Sequence, residues 1–307
     1  MPHTVVMTGA TRGIGRVALD RIIAAAPDAH PVLLGRNPGV AALADEVSAA
    51  GRPVSWLEAD LLSLGSVREA TDKLRAQFEE NQLPPLRTLV ANAGLQFTDA
   101  LHETAEGFES TFAVNVLANH VLIRRLEDCF AAPSRIVVTV SDTHFGDFKH
   151  NLGMVPGPRW SAPELLARTG AFPRPGTVGA GRTAYSTSKL AAIHLVHEHA
   201  RRLPPGVDIV SYNPAFVPGT DLARDANAAA RFAMRRVLPA MALTPLATSR
   251  KAAGGYLADV ALGRIEAPTG SYVDRGEVRR SSAESYDPGR ERELWAEIER
   301  LAAPFLR

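Results

Sequence analysis

Short apolar runs alternate along the chain with longer stretches whose apolar residues recur every three or four positions. The short runs, at residues 4–8, 31–34, 54–57, 86–91, 135–140 and 207–212, predict strands, and a further short strand is expected near 270–273. Helical patterns fill 15–26, 39–50, 66–80, 108–130 and 184–203, and the charged stretch 281–301 turns helical after Asp287-Pro288-Gly289. Strands that are apolar throughout, separated by helices, imply a parallel sheet covered on both faces. Right-handed crossovers wind such a sheet doubly and leave a ligand crevice at the carboxyl ends of its strands. The expected architecture is therefore one α/β domain over residues 1–307 with about seven strands. Two stretches break the rhythm. Residues 144–182 are dense in proline and glycine and too long for an ordinary connection, so they are expected to form a functional insertion. Residues 218–245 carry an alanine-rich amphipathic helix with Phe232, Met234, Val237, Leu238 and Met241, which serves either as plain packing or as a substrate lid.

Composition narrows the partners. The 34 basic and 33 acidic side chains leave a net charge of +1, so no long-range field favours nucleic acid or an anionic membrane. No apolar run is long enough to span a bilayer, and the first residues read as a strand, so a cytoplasmic location is expected. The single cysteine, Cys129, excludes an internal disulfide and is expected to be a buried structural thiol. Nothing in the sequence suggests a metal site.

Candidate chemistry begins at the end of the first strand. Thr8-Gly9-Ala10-Thr11-Arg12-Gly13-Ile14-Gly15 links that strand to the first helix. Glycines there let the backbone turn sharply and let a pyrophosphate approach, while the helix start offers free N–H groups and partial positive charge. At the end of the second strand, an acid would accept from an adenosine ribose, but the residues are Arg36 and Asn37. Arg36, with Arg12, could instead grip a 2′-phosphate, which points to NADP(H). Asp60-Leu61 after the third strand could meet adenine, and Asn92-Ala93-Gly94 closes the fourth strand beside the nucleotide.

A second constellation lies further on. Tyr185 and Lys189 stand one helical turn apart, so both face the same side. An ammonium beside a phenol is expected to lower its pKa by about two to three pH units, ~3–4 kcal/mol of differential interaction. The phenol could then exchange a proton with a carbonyl or alcohol oxygen. Ser141, at the end of the fifth strand, could hold that oxygen. Asn115, inside an apolar helix, is either a polar residue bonding nearby backbone or a link in a water-mediated proton path to Lys189. Asp142 and His144 are expected to be loop hydrogen-bonders rather than substrate contacts.

In this order, Thr8-Gly9-x-x-x-Gly13-x-Gly15, Asn92-Ala93-Gly94, Asn115, Ser141 and Tyr185-x-x-x-Lys189 resemble the short-chain dehydrogenase/reductase family over essentially the whole chain. The resemblance implies a Rossmann-type fold and an oxidoreductase with Tyr185 as proton donor or acceptor. Lys189 would tune that phenol and bind the nicotinamide ribose, Ser141 would hold the substrate oxygen, and Asn115 would anchor the relay. Asn213-Pro214-Ala215-Phe216-Val217-Pro218-Gly219-Thr220 looks like the family's nicotinamide-binding turn, with Val217 and Thr220 at the carboxamide. Ala215 departs from the usual glycine. The tail resembles the protochlorophyllide reductase, retinol dehydrogenase and carbonyl reductase branch, although Ala191 replaces the cysteine expected for protochlorophyllide chemistry.

These features point to carbonyl–alcohol interconversion on a bulky apolar or aromatic small molecule. Reduction of a carbon–carbon double bond is the alternative, and a non-catalytic nucleotide sensor the remote one. Ser141 and Tyr185 are 44 positions apart, and Phe145, Phe148, Leu152, Met154, Trp160 and Phe172 between them could wall a pocket. That insertion is also expected to cover a helix face used for tetramers, which favours a monomer or dimer.

Overall fold

The computed structural model describes residues 1–151, 153–218 and 247–307. Almost all of the expected lid at 218–245, together with Leu152 and Thr220, lies outside the described residues.

Strands β1 (His3–Thr8), β2 (Ala29–Gly35), β3 (Ser55–Glu58), β4 (Leu86–Ala91), β5 (Phe130–Thr139), β6 (Val207–Asn213), β7 (Tyr272–Asp274) and β8 (Glu277–Arg279) form one sheet. Its order is β3-β2-β1-β4-β5-β6-β7-β8. All pairs are parallel except β7 with β8, which form a short antiparallel hairpin at the edge. The order reverses between β1 and β4, and this switch point opens a crevice at the strands' carboxyl ends. The strand pattern explains the two-sided burial. Val5 and Met7 of β1 pack into one apolar cluster and Val6 into the other. Val90 and Val137 repeat the first choice, and Leu89, Ile136 and Val138 the second. Successive side chains point to opposite faces, so a strand buried on both sides must be apolar throughout.

Helices α1 (Gly13–Ala25) and α2 (Gly39–Ala49) supply one face, with a helix, here α9, at Arg250–Ala261. The other face carries α3 (Leu64–Glu79), α4 (Ser110–Phe112), a π-helical turn (Ala113–Leu117), α5 (Ala118–Leu126) and α8 (Val178–Arg202). Short helices α6 (Phe148–Asn151) and α7 (Pro163–Leu166) lie in the insertion. The last helix, α10 (Pro288–Leu306), is capped by Asp287, whose carboxylate accepts from the N–H groups of Gly289 and Arg290.

Three expectations change. Helix α8 starts at Val178, inside the expected insertion, because the Thr177 hydroxyl caps it by accepting from Ala180 N. Phe172 is buried in the core rather than walling a pocket, and the partly buried Trp160 packs edge-on against His194 beneath Arg290. Cys129 is half-buried rather than buried, at the end of the turn Glu127–Cys129, where burial pushes its thiol up. The insertion is pinned to its surroundings by Arg159 N to Thr187 Oγ1 (2.9 Å), Arg182 Nη1 to Met154 O (2.7 Å) and Glu109 N to Ala167 O (2.8 Å). It is α10 that covers the outer faces of α5 and α8, burying Leu294, Ile298 and Ala302.

Helices α1 and α9 pack tightly at a glycine. A Cβ at Gly254 would stand 2.5 Å from Val17 Cβ and 2.7 Å from Ile14 O. Gly254→Ala is therefore expected to cost about 1–3 kcal/mol of stability in urea unfolding. Gly65→Ala in α3, where the nearest atom would be Ser63 Oγ at 3.6 Å, should cost nothing.

Candidate active site

The glycine loop is held by the neighbouring strand. Gly9 has φ +69°, and a Cβ there would come within 2.9 Å of Ala93 Cα, so only glycine fits. A Cβ at Gly15 would meet Gly9 O at 2.0 Å. Asn92 Nδ2 donates to Gly9 O (3.2 Å), and Ala93 N donates to Thr8 Oγ1 (3.0 Å). Asn92-Ala93-Gly94 thus clasps the loop across the β1–β4 switch point. Arg12 occupies the N-cap of α1 without a side-chain cap bond, and the first turn holds no acid. The start of α1 therefore presents backbone N–H groups and partial positive charge to the crevice. Thr11 and Arg12 are exposed, and Ile14 is partly buried behind them. Arg36 and Asn37 are exposed where β2 leads into α2, and Thr11 Cγ2 lies 3.8 Å from a Cβ position at Gly39 in that same turn. The two arginines therefore lie on neighbouring loops at one edge of the crevice. Asp60 turns back on itself, with Leu62 N donating to its Oδ1 (3.1 Å), while Leu61 is buried. Ser63, not Asp60, caps α3.

On the other side of the crevice, Tyr185 and Lys189 are both buried in α8. Lys189 Nζ donates to Thr139 O (2.9 Å) at the end of β5, and sits 5.6 Å from the centroid of the Tyr185 ring. Thr139 Oγ1 in turn donates to Asn92 Oδ1 (3.2 Å), which joins the lysine to the glycine-loop clasp. Ser141 lies beside the Tyr185 phenol, and its hydroxyl acts on the phenol's acidity. Sequence reasoning placed these three side chains together correctly. It erred on the phenol's resting acidity, because burial dominates and pushes the Tyr185 pKa up rather than down. The neighbouring Ser141 hydroxyl opposes this, and the Asp142 carboxylate adds to it. Burial also lowers Lys189, to about 8.

Asn115 sits in the π-helical turn. Its Oδ1 accepts from Leu95 N (3.0 Å), and its Nδ2 donates to Leu95 O (3.0 Å) and to Ser188 Oγ (2.9 Å). The Ser188 hydroxyl donates to Tyr185 O (2.7 Å). Asn115 Oδ1 and Lys189 Nζ both lie 3.2 Å from a Cβ position at Gly94, so Asn115 stands next to Lys189.

Four supporting residues were missed or undervalued. Thr139, Ser188 and Asn213 act through hydrogen bonds that no spacing reveals. Asn213 Oδ1 accepts from Asp142 N (3.1 Å) and Ala215 N (3.1 Å), and its Nδ2 donates to Asp274 Oδ1 (3.0 Å). Asp142 accepts from Ser141 Oγ (3.3 Å), and burial raises its carboxyl to about 6. His144 is the loop hydrogen-bonder expected. Its Nδ1 bonds Ser141 O (2.6 Å) and its Nε2 accepts from Ser282 N (3.1 Å), which fixes the neutral tautomer, while burial lowers its pKa to about 4. Pro214 and the buried Val217 follow β6, and Ala215 holds φ +59°, the left-handed conformation that glycine would adopt without strain.

Among the described residues no helix is long and apolar enough to cross a membrane, and no group of His, Cys, Asp and Glu could hold a metal ion.

The profile of the short chain dehydrogenase family matches residues 3–151. A Streptomyces sp. (strain C5) protein named "Putative daunorubicin C-13 ketoreductase DnrU" is 32% identical over 87% of this chain and 86% of its own. A short-chain dehydrogenase from Burkholderia cenocepacia, crystallised with NADP, aligns with a TM-score of 0.62 at 23% identity, over 89% of this chain and 95% of that one. NADPH-bound carbonyl reductase from chicken fatty liver aligns with a TM-score of 0.60 at 16% identity, over 91% and 99% of the two chains. With the doubly wound sheet, the clasped glycine loop and the buried Tyr185–Lys189 pair beside Ser141, these matches place the chain in the short-chain dehydrogenase family of Rossmann-type oxidoreductases.

Proposed function

We propose that this protein is an NADPH-dependent reductase that interconverts a ketone and an alcohol on a bulky, polycyclic or otherwise apolar small molecule. The observation that carries the reading is the buried pair in α8, with Lys189 Nζ 5.6 Å from the Tyr185 ring centroid, beside Ser141 at the end of β5. The ketoreductase name of the Streptomyces relative supports the substrate class.

The residues present fit a phosphorylated dinucleotide. Gly9, Gly13 and Gly15 with the start of α1 would take the pyrophosphate, and Arg12 and Arg36 the 2′-phosphate. Thr11 and Ile14 would line the loop, Asn37, Asp60 and Leu61 the adenosine end, and Asn92, Ala93 and Gly94 the middle. Tyr185 and Lys189 would hold the nicotinamide ribose, and Pro214 and Val217 the carboxamide. Thr220, assigned beside them from the sequence, lies outside the described residues. When bound, NADPH supplies the hydride.

The protein's own groups manage the proton. Ser141 donates to the carbonyl oxygen and orients it. Burial keeps Tyr185 protonated until charge develops on that oxygen, so the phenol serves as general acid. Lys189, with a pKa of about 8, is mostly charged at pH 7 and stabilises the phenolate left behind. Asn115 anchors the relay beside it. His144 fixes the backbone of Ser141 and so aims the hydroxyl. The α10 helix laid across α5 and α8 supports a monomer or an unusual dimer.

Three experiments test this reading. A panel of aryl and polycyclic ketones, simple aldehydes and enones, followed at the absorbance of reduced nicotinamide with product analysis, should give alcohols from the bulky ketones. Saturated ketones from the enones would instead establish double-bond reduction. Tyr185→Phe should lower kcat by about 10²–10⁴-fold while dinucleotide binding survives, and retained turnover would remove Tyr185 as the acid. Arg36→Asp should reduce the ratio of NADPH to NADH efficiency, and an unchanged ratio would strip Arg36 of its phosphate role.

Lys189 predicts a separate, thermodynamic signature. Its folded pKa of about 8 lies below its ordinary value of 10.5, so between those pH values the unfolded chain binds more protons. The wild type should therefore gain stability as pH rises through that window, by up to ~1.4 kcal/mol per pH unit. Lys189→Met should abolish this gain, and denaturant unfolding at pH 7 and pH 10 measures the difference.

A further inference from the structure

Behind Asn115, where α5 and α8 pack together, there is a cavity of about 10 Å³ lined by Asn115, Asn119, His120 and His199 among apolar side chains. That volume admits a single water, provided polar groups receive it. They are present. Asn119 is buried and donates through Nδ2 to Asn115 O (3.0 Å), while its Oδ1 has no hydrogen-bond partner. Beyond the cavity the polar chain continues outward. His199 Nε2 lies 3.2 Å from His120 Nδ1, and His120 Nε2 lies 2.9 Å from Glu299 Oε1. The His120 side chain is fully buried, and that of Glu299 is 28% exposed. We propose that this cavity and the His199–His120–Glu299 chain form a proton path that joins the Asn115–Lys189 end of the active site to solvent across α10.

The hydrogen bonds fix the direction in which the chain is poised. A carboxylate only accepts, so His120 Nε2 carries the proton given to Glu299. Burial keeps both rings neutral, so His120 Nδ1 must accept from His199 Nε2–H, and His199 Nδ1 remains an acceptor. Arg124, bonded to Glu299 (2.8 Å), further disfavours either imidazolium, and so does Arg202 over the Trp295 ring for His199. Trp295 packs edge-on against both histidines and seals them from the side. A proton reaching the cavity water passes to His199 Nδ1. The Nε2 proton of His199 passes to His120 Nδ1, and that of His120 passes to Glu299 and out. One proton enters and one leaves, and the two rings exchange tautomers. That resting polarity suits proton release on alcohol oxidation, and reduction runs the same transfers backwards.

The proposal rests on Tyr185 exchanging the substrate proton, and the two readings can be separated. Nitrogen-15 NMR of the histidine-labelled protein, with no ligand, should find both His120 and His199 neutral with the proton on Nε2. A proton on Nδ1 of either ring overturns the path. In a single turnover of alcohol oxidation with NADP⁺, a pH indicator should show proton release in step with hydride transfer. His199→Leu should lower the ratio of the release rate to the hydride-transfer rate at least about tenfold. Glu299→Gln, a change at the partly exposed end that spares the buried pair, should do the same if His199→Leu does not fold. Release still in step with hydride transfer in a folded variant overturns the path, because a merely structural role would change the melting temperature and leave that ratio alone. No hydride transfer by the wild type with any alcohol would instead defeat the proposed function, while the tautomers would still judge the path.

Discussion

A buried ammonium with one described hydrogen-bond acceptor, the carbonyl of Thr139, organises the whole site. Lys189 is held at the end of β5 by that bond (2.9 Å), and Thr139 is tied through Asn92 to the glycine loop. The catalytic side of the crevice and the dinucleotide side are thus one hydrogen-bonded unit spanning the β1–β4 switch point. Burial of the lysine is costly, and its lowered pKa measures that cost. The cost is tolerated because the same burial leaves the ammonium's field unscreened by water. On the proposed function, the charge that the Tyr185 phenol acquires on giving up its proton is met by a cation already in place. The phenol's own high resting pKa follows from the same dry surroundings, so a strong hold on the proton and strong stabilisation of the anion share one origin.

The π-helical turn at Ala113–Leu117 is the second device. An α-helix commits each carbonyl to the N–H four residues on, whereas a π-turn shifts that ladder. Here the turn places Asn115 where its side chain bonds Leu95 on one side and Ser188 on the other. The helix carrying Asn115 is thereby locked to the helix carrying Tyr185 and Lys189, one turn below the reacting groups. The carbonyl of Asn115 bonds the Asn119 side chain instead of serving the helix alone, so polarity is carried out of the site along α5.

Much of this was legible in the sequence, and the rest was hidden for identifiable reasons. Strands β1, β4 and β6 could be read because continuous apolar runs have no other use in a polar crossover fold. Strand β8 escaped because Glu277, Val278 and Arg279 are all exposed and carry no periodic burial. The start of α8 was obscured by glycines at 176, 179 and 181 that suggest a loop. At Gly181 the cause is packing, since a Cβ would stand 2.5 Å from Phe97 O. Tyr185 and Lys189 could be read as neighbours from their one-turn spacing, and Ser141 from its place at a strand end. The upward pKa of Tyr185 was not, because the effect of a neighbouring charge can be read from spacing whereas desolvation depends on everything packed around the ring. Thr139, Ser188 and Asn213 have no such signature, being ordinary polar residues whose value lies in what they meet.

The insertion and the C-terminal helix divide the work that the sequence assigned to the insertion alone. Residues 144–177 are fastened to α8 and to the loop before α4, and their aromatic residues are partly consumed in that fastening, as Trp160 and Phe172 show. His144 links this region to the segment before α10, because its two ring nitrogens bond Ser141 O and Ser282 N. Helix α10 then crosses α5 and α8, bringing Trp295 and Glu299 to the two inward histidines. Helix α10 buries these outer faces and, on the proposed reading, takes them out of use as subunit contacts. The protein gains a dry, fixed environment in which polar side chains far from the reacting atoms can be held in single tautomers. That is the condition under which hydrogen bonds, rather than exposed water, can carry a proton between a buried phenol and the surface.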